Sequence, residues 1–273
     1  GDGDDVAVTS ANLADTDLVG VDVETLEVDG ATTITLAAAI NTSIFDLSDA
    51  ADQVLTLSAG YTGATTVILT GDAATNTDTV TNTADVALTI TANAADIDAT
   101  TTITGGATAT DTLNLANDAG TADFTLVTAV DVVNVIDSVA NAGNDSTIDL
   151  QAFATAITVS GADLDAGEDL TVDGSGMAGA LTATGGAGDD TITGGTGDDV
   201  LTGGAGDDTI DVTADGDNTV SGGAGDDTIS AGSGDDSIDG GDGDDRIDMT
   251  DAAVDANDTV VGGNGDDIVV IND

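Results

Sequence analysis

The sequence predicts an all-β chain, a right-handed parallel β-solenoid, and three observations carry that prediction. A nine-residue unit recurs in tandem from Gly185, one apolar place rides at a fixed position inside it, and short β-branched runs keep a similar beat through the earlier residues. A unit this short supplies one brief strand and one turn. It cannot close a core alone, so successive units must stack.

Taken in order, the runs at 21–28, 34–36, 54–57, 67–69, 86–90, 103, 113–115, 124–127, 132–136, 148–150, 157–159 and 170–172 return roughly every 8 to 15 residues. Asp, Asn, Gly, Thr and Ala lie between them as turn formers and small fillers. No Asn-Gly dipeptide joins these runs, which favours a solenoid; a separate β-sandwich is the alternative for this part. Asp78-Thr79-Val80 and Asp111-Thr112-Leu113 repeat the strand entry of Asp190-Thr191-Ile192, and Gly143-Asn144-Asp145 and Gly167-Glu168-Asp169 repeat its turn. Residues 37–39 and 49–53 read as a helical turn on a protruding loop. The opening Gly1-Asp2-Gly3-Asp4-Asp5-Val6 resembles the tail of a further unit, so the chain is expected to be a segment of a longer protein.

Residues 185–270 hold nine copies of the template G-G-x-G-x-D-x-U-x, where U is apolar, beginning at Gly185, Gly194, Gly203, Thr213, Gly222, Ala231, Gly240, Ala253 and Gly262. Val212 and Met249-Thr250-Asp251-Ala252 stand as insertions, and both are expected to bulge from the same corner. The eighth place carries Ile192, Leu201, Ile210, Val220, Ile229, Ile238, Ile247, Val260 and Val269, one inward side chain per strand. Two units make one coil of eighteen residues. Odd and even units therefore form two opposite edges.

The sixth place carries Asp190, Asp208, Asp227, Asp245 and Asp267 along the first edge, and Asp199, Asn218, Asp236 and Asp258 along the second. Strands stack about 4.8 Å apart, so such a ladder of carboxylates repels itself unless a cation lies between its members. Calcium suits the gap: it takes six to eight oxygens at about 2.3 to 2.6 Å, and glycine-rich turns expose carbonyls that complete a shell begun by one or two carboxylates. The candidate ligands are these aspartates with the glycines of the second and fourth places: Gly186 and Gly188, Gly195 and Gly197, Gly204 and Gly206, Gly223 and Gly225, Gly232 and Gly234, Gly241 and Gly243, Gly263 and Gly265. The copies at Thr213 and Ala253 have lost leading glycines, which leaves the first edge the better kept.

The block resembles the RTX (repeats-in-toxin) family of calcium-binding nonapeptide proteins. The resemblance implies a β-roll with several calcium ions between its turns, in a protein exported by type I secretion and placed outside the cell or on its surface. On that reading residues 1–172 form an irregular parallel β-solenoid and 173–273 the β-roll.

Composition narrows the function. The formal charge is -52, with one basic residue, Arg246, and no His, Cys or Pro. Phosphates are repelled, so nucleic acid and anionic membranes are excluded as partners. No apolar run is long enough to insert directly into a membrane. Without disulfides, bound ions must supply the staple, and little stable structure is expected without them. Absence of His removes an H-E-x-x-H site and a triad base, and no G-x-S-x-G surrounds Ser175 or Ser233, so no enzyme is expected. Tyr61, Phe45, Phe124 and Phe153 are too few for a sugar-stacking groove. The Thr, Ala, Asp and Gly richness resembles RTX-containing S-layer proteins and giant RTX adhesins. A structural role follows as the expectation: a calcium-dependent segment of a secreted bacterial surface protein that assembles with copies of itself into a lattice or filament. A stalk of an adhesin or biofilm matrix protein, and the secretion tail of an exoenzyme, are the alternatives.

Overall fold

The structure is a computed structural model that describes residues 6–9, 13–14, 25–28, 32–36, 44–47, 53–58, 61, 65–69, 78–93, 97, 101–116, 121–124, 126–136, 145–151, 153–250, 254 and 257–272. The half-repeat at 1–5, the loop readings at 37–39 and 49–52, and residues 251–252 of the second insertion lie outside them. The chain divides into two compact units, Gly1–Ala116 with Leu126–Val132, and Asn117–Thr125 with Val133–Asp273.

The first unit winds between two parallel sheets. One contains β1 (Val6–Thr9), β3 (Thr25–Val28), β5 (Ile44–Asp46), β7 (Thr65–Ile68), β9 (Leu88–Asn93) and β11 (Thr112–Ala116) in that order. The other contains β2 (Leu13–Ala14), β4 (Thr32–Leu36), β6 (Gln53–Leu57), β8 (Thr79–Asn82), β10 (Thr102–Thr104) and β13 (Val127–Thr128). Strands alternate between the sheets along the chain and every pairing is parallel, which is the signature of a solenoid and answers the sandwich alternative. Alternate residues face inward: Gln53, Leu55 and Leu57 of β6 are buried while Val54 and Thr56 are half-buried.

The second unit repeats the plan with greater regularity. One sheet orders β14 (Val132–Ile136), β16 (Ile157–Ser160), β18 (Leu181–Thr184), β20 (Val200–Ala205), β22 (Thr219–Ala224), β24 (Ser237–Asp242) and β26 (Thr259–Asn264). The other orders β12 (Thr121–Asp123), β15 (Ser146–Asp149), β17 (Leu170–Asp173), β19 (Thr191–Thr193), β21 (Thr209–Val212), β23 (Thr228–Ala231), β25 (Arg246–Thr250) and β27 (Ile268–Asn272). Several of these strands, β18 among them, hold only one or two large apolar residues. A strand that buries every second side chain of a four-residue run needs no more.

Register places the eighth-place residues in columns. Ile192, Ile210, Ile229, Ile247 and Val269 pair in succession across one sheet, as do Leu201, Val220, Ile238 and Val260 across the other. The residues from Ile192 to Ile247 are buried; Val269, on the last coil described, is 48% exposed. Phe124 and Phe153 meet edge to face with centroids 6.2 Å apart, and Tyr61 and Phe45 are also buried, so the aromatics fill cores. Arg246 points outward and pairs with Asp248 through Nη2 at 2.6 Å and Nε at 2.8 Å.

The insertions behave differently from the expectation. Val212 does not bulge: it is the last residue of β21, buried, and paired with Ala231, which pairs in turn with Met249. Burial of an apolar side chain is worth about 1.5 to 3 kcal/mol, so Val212 and Met249 are drawn into the strand, and after Val212 the extra length falls in the polar turn 213–218.

The column of inward residues carries the stability of each coil. Ile229→Ala, at a fully buried site, is expected to cost about 2 to 5 kcal/mol in denaturant unfolding at saturating calcium. Val200→Ala, at a 46% exposed site, should stay within about 0.5 kcal/mol of the parent.

Candidate metal centre

The turns that leave one sheet of the second unit for the other end in an Asp-Asp pair, and the two carboxylates go opposite ways. The sixth-place residues Asp190, Asp208, Asp227 and Asp245 are 1% exposed, whereas the fifth-place residues Asp189, Asp207, Asp226 and Asp244 project outward. Glycine turns bring the chain round so tightly that the next residue must point either into the coil or away from it.

Each buried carboxylate reaches one coil back. Oδ1 of Asp190 accepts the Leu170 N–H at 2.6 Å, Asp208 accepts that of Asp190 at 2.7 Å, Asp227 that of Asp208 at 2.8 Å, and Asp245 that of Asp227 at 2.9 Å. Asp267 accepts the Asp245 N–H at 3.1 Å. The exposed carboxylates reach one coil forward: Asp189 accepts the Asp207 N–H, Asp207 that of Asp226, Asp226 that of Asp244 and Asp244 that of Asp266, all at 2.8 to 2.9 Å. The ladder is therefore interleaved with backbone amides, which sequence pattern alone does not reveal. Asp78 and Asp111, singled out for their strand-entry step, do the same in the first unit by accepting the Gln53 and Leu88 N–H, each at 2.9 Å.

The second oxygen of each buried carboxylate defines the site. Gly186 N–H donates to Asp190 Oδ2 at 2.6 Å and closes that turn. At Asp208, Asp227 and Asp245 no such donor arrives, and Oδ2 is buried without a hydrogen-bond partner. There the second-place glycines Gly204, Gly223 and Gly241 hold φ of 131°, 125° and 118°, a region closed to most L residues. A methyl group placed on Gly203 would collide at once with Asp208 Oδ2 and with the Gly222 carbonyl oxygen. Gly185, Gly222 and Gly240 repeat the arrangement with Asp190 and Gly203, Asp227 and Gly240, and Asp245 and Gly262. The missing Cβ leaves a niche lined by a carboxylate oxygen and a backbone carbonyl, both closer than a side chain there would allow.

These residues fit calcium. The niche offers hard oxygens and no competing donor, and an unpaired buried carboxylate oxygen is costly until something positive meets it. Among the described residues no point gathers three or more of His, Cys, Asp and Glu, so a bound ion would rest on one or two carboxylates with carbonyls completing its shell. Asp208, Asp227 and Asp245 with the carbonyls of Gly222, Gly240 and Gly262 would hold it; bound calcium neutralises the ladder charge.

The first-place glycines Gly185, Gly203, Gly222, Gly240 and Gly262 were not among the candidate ligands. Their distinguishing signal is in the sequence, since the second edge does not keep glycine there. The fourth-place glycines serve the backbone: Gly225 has φ 132°, and a Cβ on it would strike the Gly206 carbonyl of the preceding coil. Gly188, Gly197, Gly206, Gly234, Gly243 and Gly265 sit in the same kind of contact. Of the second-place glycines, the Gly186 carbonyl accepts the Ala205 N–H at 3.0 Å, Gly195 N–H donates to Asp199 Oδ2 at 2.9 Å, and Gly232 and Gly263 lie tightly against Thr213 and Gly241 of the coil before.

The second edge differs in chemistry. A Cβ on Gly194 would meet Asp199 Oδ2 but then the side chain of Val212 at 3.3 Å, not a carbonyl oxygen. Val212, Ala231 and Met249 then occupy the place that Gly203, Gly222 and Gly240 hold on the first edge, and all three are buried. Asn218 closes its own turn, accepting the Asp199 N–H at 3.0 Å and donating Nδ2 to the Gly216 carbonyl at 3.0 Å. Asp236 accepts the Asn218 N–H at 3.0 Å, and its other oxygen is unpartnered. Asp258 accepts the Asp236 N–H at 2.9 Å.

Burial pushes the Asp208 carboxyl up to about 7, with repulsion from Asp190 and Asp227 adding to it. Burial likewise takes Asp190 and Asp227 to about 6, and raises Asp199, Asp236 and Asp245. A carboxyl raised above its ordinary 3.8 keeps more protons folded than unfolded, so its contribution is full below that value and lost as pH rises through the folded one. With chelator present, the urea midpoint is expected to fall between pH 4 and pH 7.5; with excess calcium it should rise over the same interval, because ligand carboxylates must be ionised. Asp208→Asn should flatten the chelator slope, as Asn218 shows that the turn accepts an amide. Gly222→Ala should abolish one calcium equivalent in equilibrium dialysis, while Ala231→Gly should leave the wild-type number.

Residues 184–215, 212–247 and 254–270 match the model of the RTX calcium-binding nonapeptide repeat (4 copies). No curated protein and no solved structure gives a significant match to the chain. The parallel β-solenoid thus carries RTX calcium-binding nonapeptide repeats in its C-terminal region, and calcium binding is what those repeats imply.

Proposed function

We propose that this chain is a structural, non-catalytic segment of a secreted bacterial cell-surface protein, rigidified by calcium and able to associate with copies of itself. RTX repeat proteins are generally secreted by bacteria, which supports a setting where calcium is abundant. Calcium on the first edge cancels carboxylate repulsion coil by coil, so the chain passes from a repelling polyanion to a stiff stack.

The observation that carries self-association is the last coil described. Val269 and Ile271 are 48% and 55% exposed, whereas Ile247 and Met249, with which they pair in the coil before, are buried; Val261 and Ile268, 47% and 55% exposed, add apolar surface on the outward columns. An apolar strand surface of this kind matches the face of another parallel coil, whether further along one polypeptide or in a second copy. The outward aspartates beside it supply carboxylates through which calcium can bridge neighbours. The chain lacks His and Cys, in keeping with a role that needs no acid–base or nucleophilic chemistry. Among the described residues no helix is long and apolar enough to cross a membrane.

Sedimentation velocity and electron microscopy of the purified chain test the reading. Millimolar calcium is expected to convert a slowly sedimenting monomer into ordered sheets or filaments, with chelator reversing the change and Ile268→Asp with Ile271→Asp blocking it. A compact monomer at every calcium concentration would sink the assembly role and favour a single-chain stalk.

A further inference from the structure

The threonines of the first unit are not scattered over its strands. In the sheet of β2, β4, β6, β8, β10 and β13 the outward positions fall into two ranks. One rank runs Thr35, Thr56, Thr81, Thr104 and Thr128, each paired in register with the next. The rank two residues earlier runs Thr33, Val54, Thr79 and Thr102. Between the ranks lies the inward column Ile34, Leu55, Val80, Ile103 and Val127, all buried. Thr35 and Thr128 are exposed, and Thr56, Thr81 and Thr104 between them are half-buried in the ladder.

Strand propensity favours threonine without requiring it at an outward place, and the rest of the chain shows as much. On the other sheet of the same unit one outward register reads Asp46, Ile68, Thr91 and Asn114. The second unit has a threonine rank of its own, Thr171, Thr191, Thr209 and Thr228, but Asp173, Thr193, Asp211 and Ser230 stand beside it. In a chain with 53 acids, the two ranks from β4 to β13 carry none. This neutrality is an observation separate from the spacing. A carboxylate would hold its own hydration shell over the face, and both ranks are free of one.

Threonine is stiff at χ1, so its hydroxyl and methyl keep fixed places. Parallel pairing sets the rungs about 4.8 Å apart, and residues two apart along a strand lie about 6.6 Å apart. The two ranks therefore form a rectangular net. Oxygen atoms on a prism face of ice recur along two perpendicular directions at spacings close to these, so successive rungs meet equivalent points of the crystal. A second copy of the chain is a poorer occupant. The ranks cover only about 20 by 7 Å, far below the roughly 800 Å² per partner of a stable interface, and a second polyanion is repelled.

We propose that this threonine face binds ice. The methyls pack on the crystal surface and the hydroxyls take places in its oxygen net, while the crystal, already ordered, loses no freedom on contact. Ice between bound molecules must then advance as a curved front, which lowers its local freezing point. The site depends on the register of the first unit and on no nonapeptide.

Ice partition of the full chain tests this. The protein, labelled with a fluorophore at its amino terminus and kept in millimolar calcium, is offered to a slowly growing ice hemisphere, and its concentration in the ice is compared with that in the liquid. The parent is expected to concentrate in the ice and to suppress recrystallisation in frozen sucrose. Thr81→Tyr and Thr104→Lys, which put bulk or charge where the lattice must sit, should each lower the ratio about tenfold. Thr209→Tyr, on the rank flanked by carboxylates, should keep the parent's ratio, and a circular dichroism spectrum matching the parent's shows that each variant is folded. A parent excluded from ice overturns the proposal, as does equal uptake of the parent and both first-unit variants, or an equal loss at Thr209→Tyr. Should Thr81→Tyr block calcium-driven sedimentation and leave ice uptake unchanged, the face belongs to a second copy and the proposal falls.

Discussion

Everything in this fold depends on an aspartate at the entrance of a strand accepting a backbone N–H from the coil before it. The bond does two jobs. It fixes the rise from coil to coil, since a carboxylate of one length must span one strand spacing, and it draws a charge out of water into the stack. Burying one oxygen against an amide is favourable; burying the other without a partner is not. The carboxylates at Asp208, Asp227 and Asp245 therefore need a proton or a cation, and the glycine beside each lets a backbone carbonyl of the next coil face the same oxygen.

This explains why the two edges of the second unit have different compositions. Along the first, glycine in the first place keeps the oxygen niche open. Along the second, Val212, Ala231 and Met249 extend the strands and fill that place with apolar side chains. The first edge gathers three buried, unpartnered carboxylate oxygens at Asp208, Asp227 and Asp245, and the second has one, at Asp236, beside its added apolar burial. The spacing of equivalent aspartates, 18, 19, 18 and 22 residues, shows the same division: extra residues enter the turns, and the strand columns stay aligned.

Much of this was legible in the residues. The nonapeptide template located the buried carboxylates and the inward column, and Asp78 and Asp111 signalled that the earlier coils enter their strands in the same manner. Strands such as β5 and β18 were harder to see, because one or two large apolar residues in a run of three or four are no stronger than chance. The two directions of the carboxylate bonds were not legible at all: adjacent aspartates are chemically identical until the turn sends one inward and one outward.

The amino-acid sequence by itself determined the period, the identity of the inward residues and the oxygen-rich, cation-seeking character of the turns, because those are local properties of short segments. Only the tertiary structure decided which residues share a place in neighbouring coils. Whether an extra residue sits at Val212 or in the turn after it leaves the local pattern nearly unchanged, and burial against the next coil makes the choice. The meeting of Asn82 and Asp111, whose side chains hydrogen-bond at 3.3 Å, is of the same kind, since residues distant along the chain become neighbours only when parallel coils settle into register.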